Sequence, residues 1–137
     1  MANLIYNSFK EYMGDNTIDM DGDTFKIALL TSSHTPDATD STYADVSGDE
    51  VSGTGYTAGG ATLTATWTRS GGTTTFDADN VTWSSSTITA QYAVIYSDTP
   101  TSPADPLVCL LDFSEDKSSS NGDFTVNFNA SGIISLS

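Results

Sequence analysis

The chain has one cysteine, one histidine, four prolines and only four basic residues among 137. A lone cysteine, Cys109, cannot close an internal disulfide. Its neighbours in LVCLLDF are those of an apolar strand, so it reads as a small buried hydrophobe and not as a nucleophile. His34 is the one imidazole and falls in TSSHTPDATD, a stretch with surface-loop composition. It is expected to be solvated, and a Ser-His-Asp triad, which would need it, is not expected. Lys10, Lys26, Arg69 and Lys117 stand against 18 acidic residues, for a formal net charge of -14. Four scattered cations cannot build the basic surface that a phosphate backbone requires, which excludes nucleic acid as a partner. No apolar run approaches the roughly 18 residues of a membrane span. The opening MANLIYNSFKEYM lacks the basic region, continuous apolar stretch and small-residue cleavage site of a secretory signal, so synthesis in the cytoplasm is expected.

What is present is a single domain's worth of chain, residues 1–137, with 37% hydrophobic residues gathered in short clusters and a polar excess rich in Ser and Thr. Leu4, Ile5, Phe9, Tyr12 and Met13 fall on one face at a period of 3.6, which predicts a helix over residues 2–13 with Asn3 as N-cap and Gly14 as the stop. One short helix needs a sheet or a partner subunit to cover its apolar face. From TFKIALLTS onward the period is two. Strands are predicted in that run, in ATLTATWTR, TTTFDA and NVTWSS, and in STITAQYAVIYS, whose two apolar faces suit the centre of a sheet. LVCLLDF, DFTVNFNA and GIISLS complete the set. Residues 32–53 form a long polar loop of the kind that carries contacts. The predicted fold is mainly β, an antiparallel sandwich or jelly-roll-like arrangement with one short N-terminal helix.

Two stretches imitate chemical motifs. GTGYTAGG, residues 53–60, satisfies the dinucleotide pattern G-x-G-x-x-A, but that pattern works only between an apolar strand and the start of a helix, where a pyrophosphate rests on the helix N-terminus. Here it follows the acidic, turn-forming DVSGDEVS and precedes a strand, so no cofactor is expected; its glycines read as a backbone feature with Tyr56 as an anchor. In DMDGD, Asp19, Asp21 and Asp23 have the 1, 3, 5 spacing of a calcium loop, yet Thr24 stands where glycine is required and Leu30 where the bidentate glutamate belongs. They are weak metal candidates and read better as turn residues, with Gly22 in a left-handed position. The pairs Asp77/Asp79 and Glu115/Asp116 are ordinary in so acidic a chain. Trp67, Trp83, Tyr92 and Tyr96 lie in alternating strands and read as core.

The string as a whole resembles a family of small structural proteins of tailed bacteriophages. The likeness is carried, in order and spacing, by a short helix, then TFKIALLTSSHTPDATD, EVSGTGYTAGGATLT, FDADNVTWSSSTITAQYAVIYSDT and PLVCLLDFSEDKSSSNGDFTVNFNASGIISL. It is most similar to capsid decoration, or cement, proteins. The resemblance implies a protein without enzymatic activity, made in the host cytoplasm and located in the virion on the outer face of the head. Its implied partners are the major capsid protein and copies of itself in a homotrimer, which would match local three-fold positions of the shell. A strongly acidic domain suits an outer layer that must stay soluble and ignore the packaged genome. The expected contact residues are Leu4, Ile5, Phe9 and Tyr12 of the N-terminal segment, His34 and Tyr43 of the loop, and Tyr56. A tail or fibre protein binding the host surface is the alternative, and a glycan-acting enzyme the third.

Overall fold

The computed structural model describes residues 3–137, and residue 2 of the expected helix lies outside them. The elements run β1 (Leu4–Ile5), α1 (Asn7–Gly14), β2 (Phe25–Leu30), α2 (Tyr43–Val46) with a 3-10 turn at Ser47–Asp49, β3 (Ala61–Thr62), β4 (Ala65–Ser70), β5 (Thr73–Ala78), β6 (Val81–Ser86), β7 (Thr89–Ser97), β8 (Leu107–Ser118), β9 (Gly122–Val126) and β10 (Ile134–Leu136). The strands make a five-stranded sheet in the order β1-β8-β7-β2-β3, a three-stranded sheet β10-β5-β4 and a two-stranded ribbon β6-β9. Every pairing is antiparallel, giving the mainly β, sandwich-like fold that the period-two pattern predicts.

β7 occupies the middle of the large sheet, flanked by β2 and β8. That position explains its composition, because a strand covered on both faces has no solvent side to keep polar. Tyr92 through Ser97 are all buried, as are Ile27 to Leu30 opposite them. Phe25 of β2 meets Phe76 of β5 edge-on at 5.0 Å between ring centroids, joining the large sheet to the three-stranded one. Phe113 of β8 and Trp83 of β6 both lie against Phe124 of β9, at 6.4 and 6.2 Å, and so bring the ribbon into the same core. ATLTATWTR is not one strand. Ala61–Thr62 pairs with β2, the Leu63 N–H is donated to the Phe25 carbonyl, and the chain then crosses to pair with β5 from Ala65 onward. That step between sheets is one way a sandwich makes its corners.

The N-terminus departs from expectation. The helix covers Asn7–Gly14 and not residues 2–13, because Leu4 and Ile5 pair with Leu110 and Cys109 as an edge strand. Asn3 is not an N-cap: its side-chain carbonyl accepts the Asp112 N–H at 2.8 Å, and Tyr6 holds the cap position without a side-chain bond. Gly14 is the last helical residue, and the left-handed position after it belongs to Asn16. Apolar residues at 4, 5 and 9 satisfy a helical period as easily as a strand followed by a helix, so the pattern could not separate the two. α1 packs on β8 of its own chain, with Tyr6 and Phe9 in the core. Burying a Phe of this kind contributes about 2–3 kcal/mol.

Residues 32–53 are also more ordered than a polar loop. Thr42 and Asp45 form a capping box that starts α2, and Val46 and Val51 enter the core. The Asn7 N–H reaches the Ala38 carbonyl, the Leu107 N–H the Ser41 carbonyl, and the Val51 N–H the Leu29 carbonyl. The segment is thereby bonded in turn to the start of α1, to β8 and to β2.

Candidate interface and its internal supports

Glu50 is the centre around which the excursion is fixed. The antiparallel bridge from Leu30 to Glu50 aims the half-buried carboxylate at the turn made by GTGYTAGG. Oε1 accepts the Tyr43 hydroxyl, while Oε2 accepts the Tyr56 hydroxyl at 2.6 Å and the Gly59 N–H at 2.9 Å. Tyr56 in turn accepts the Leu29 N–H at 2.9 Å, and Tyr96 donates to the Gly59 carbonyl at 2.6 Å. The Tyr43 and Tyr96 rings stack at 4.9 Å with 22° between planes. Burial and the adjacent carboxylate push the Tyr43 phenol up to about 12 and raise those of Tyr56 and Tyr96, the latter chiefly by burial. These hydroxyls stay protonated and donate, so the cluster ties Tyr43, Tyr56 and the turn at Gly59 to one carboxylate.

The glycines explain why that turn is possible. At Gly60, with φ of 82°, a Cβ would lie 1.8 Å from the Ile27 carbonyl oxygen, so only glycine permits β3 to close on β2. At Gly55, with the same φ, a Cβ would meet Ser86 at 2.8 Å. GTGYTAGG is the packed joint between the excursion and β3, and no helix follows it.

His34 does not sit in solvent. It is 5% exposed, its Nδ1 is 3.0 Å from Asp49 Oδ2, and its ring meets Tyr92 edge-on at 5.9 Å. The surrounding Ser, Thr and Asp disguised it, since polar composition predicts exposure only when the segment does not fold back on the sheet. Among the other expected contact residues, Phe9 is buried, Leu4, Tyr12, Tyr43 and Tyr56 are half-buried against the core, and Ile5 is 38% exposed. Tyr43 and Tyr56 come together on Glu50; Leu4, Ile5, Phe9 and Tyr12 form a separate group on the β8 side.

Asp19, Asp21 and Asp23 form a hydrogen-bonded turn. Asp19 Oδ1 accepts the N–H groups of Asp21 and Gly22, both at 3.0 Å, and Asp23 Oδ2 accepts the Asp19 N–H and the Ser97 hydroxyl, at 3.1 and 2.8 Å. Gly22 is not left-handed, and a Cβ there would meet only the exposed Asp19 carboxylate, at 2.6 Å, a side chain free to turn aside. Among the described residues no group of three or more His, Cys, Asp or Glu is placed to hold a metal ion. Cys109 is buried in β8 and its thiol is pushed up to about 12 by burial, which makes it a poor nucleophile.

A second feature lies on the opposite flank. A cleft of about 360 Å3 runs between the β1–β8 edge and the chain from Val126 to Ile133, and a neighbouring one of about 330 Å3 shares Phe113, Val126 and Asn127 with it. Leu111, Phe113, Phe128 and Ile133 supply its apolar surface, and Asn3, Asp112, Asn127 and Asn129 its polar one. Asp112 Oδ1 accepts the Ser114 N–H at 2.7 Å, whereas Oδ2 has no hydrogen-bond partner among the described residues. Neither Glu50 nor Asp112 was singled out by sequence: the partners of Glu50 lie six to nine residues away across a folded turn, and Asp112 is one carboxylate among many.

No protein-family model, no curated protein and no solved structure matches the chain.

Proposed function

We propose that this chain is a virion structural protein of a tailed bacteriophage, a capsid decoration protein that binds the outer head surface as a homotrimer and stabilises contacts between major capsid subunits. The observation that carries the reading is the ordered set of segments from TFKIALLTSSHTPDATD to NFNASGIISL, which resembles such proteins in sequence and spacing. Two physical features support it. The net charge of -14 keeps the chain soluble before assembly and away from packaged genome. The Glu50 cluster and the bonds at Ala38, Ser41 and Val51 hold the long excursion in one shape, so docking on a shell would not have to order it first.

The reading is tested by adding the purified chain to emptied heads depleted of it. Saturable binding, with a rise in the temperature or guanidinium concentration at which the heads come apart, is the expected result. Heads that neither bind it nor gain resistance would overturn the proposal.

A further inference from the structure

Resting on that reading, we propose that the cleft beside Asp112 is the seat of a lysine or arginine side chain from an extended segment of the neighbouring shell subunit. An aspartate carboxylate offers about four acceptor positions. In this one Oδ1 holds the Ser114 N–H and Oδ2, with almost no exposed surface, holds nothing among the described residues. Leaving a buried charged acceptor unmatched is costly, which is why such groups are ordinarily paired. The torsion that turns an Asp carboxylate is soft, so Oδ2 can be turned toward the cleft without moving β8, at the cost of lengthening the Ser114 bond to Oδ1.

The surroundings select the partner's chemistry. Oδ2 is acceptor-only when ionised, and the aromatic rings of Phe113 and Phe128 line the same space, an arrangement that suits a cation with an aliphatic stem. A chain of net charge -14 disfavours phosphate or acidic ligands there. It also disfavours a second copy, whose cations are only Lys10, Lys26, Arg69 and Lys117, the last already paired with Glu115 at 3.1 Å. Past Phe113 the cleft adjoins its neighbour, lined also by Lys117 and Asp123, which gives the chain a path on one side of the basic residue.

Asp112→Asn is the discriminating variant. Its amide oxygen can keep the Ser114 bond while the charge is removed. With emptied heads as the probe, D112N should bind at least roughly 30-fold more weakly than the unaltered chain, the scale of losing one partner of a close interfacial charge pair. The free chain keeps the Ser114 bond in its weaker, neutral form and should melt only a few degrees lower, by about 5 °C at most. Asn127→Lys, at an exposed position on the cleft, should block binding in the same way by placing an ammonium beside Asp112. Equal binding by D112N and the unaltered chain would overturn the assignment and leave the decoration reading intact. A melting temperature lower by more than about 6 °C, beyond what weakening the single Ser114 bond explains, would overturn it too, by revealing a further partner within the chain itself. Failure of the unaltered chain to bind heads would sink the decoration reading, and this assignment with it.

Discussion

Replacing Glu50 by alanine should be among the most damaging single changes outside the apolar core. The substitution strips the acceptor from two tyrosine hydroxyls and the Gly59 N–H at once. Hydrogen bonds to a charged group contribute about 1.5–3 kcal/mol each, but the three share one carboxylate, and Glu50 is only half-buried, so solvent can replace part of the loss. A net cost of about 3–4 kcal/mol is expected, a large share of the 5–15 kcal/mol typical of a domain. For 137 residues that corresponds to a melting temperature lower by about 10 °C. Glu50→Gln keeps one oxygen acceptor and should lose about half as much. Circular dichroism melts of both variants, with Tyr56→Phe and the double variant E50A/Y56F, give the coupling directly. Strong non-additivity is expected because the two residues share a hydrogen bond. A drop of less than about 2 °C for E50A, or additive losses, would refute the view that this carboxylate clamps the excursion to the sheet.

Two further outcomes follow from the same geometry. Gly60→Ala, whose Cβ would overlap the Ile27 carbonyl, should cost at least about 3 kcal/mol, whereas Gly71→Ala, also at positive φ but with nothing within 4 Å, should cost about 1–2 kcal/mol; denaturant titrations of the pair with similar losses would contradict the close-approach explanation. The pH dependence has a definite sign. Burial, then repulsion from neighbouring Asp37 and Asp98 respectively, raises the carboxyls of Asp40 and Asp105, so folding stability grows as pH falls from neutrality through their raised values. The Ser41 and Thr42 N–H bonds lower Asp45, whose stabilisation is present above the unfolded value of about 4 and lost as pH falls through its folded value. Melting temperature should therefore peak on the acid side of neutrality and fall below about pH 4. A steady decline from pH 7 to pH 4 would be the contrary result.

The sheet was legible from sequence because its strands alternate or are continuously apolar. STITAQYAVIYS, with two apolar faces, belongs at the centre and is found there as β7. Leu4 and Ile5 were not legible, since a two-residue edge strand held by Leu110 and Cys109 has no period of its own and borrows that of the helix behind it. The excursion misled for a different reason. Its Ser, Thr and Asp residues bond the backbone locally, as Asp45 does to Ser41 and Thr42, and polar composition alone cannot tell a solvated loop from one that satisfies itself and carries Val46, Val51 and His34 inward. That GTGYTAGG leads into strands and not a helix was readable, because the period of two after it was plain. That Gly60 was the critical member required the Ile27 carbonyl opposite.

The proposed role meets its most direct test in electron microscopy of the intact virion, with this chain traced into the density. Copies seated as trimers on the outer face of the head, bridging major capsid subunits, are the predicted result. Density for the chain on the tail or its fibres alone would contradict it.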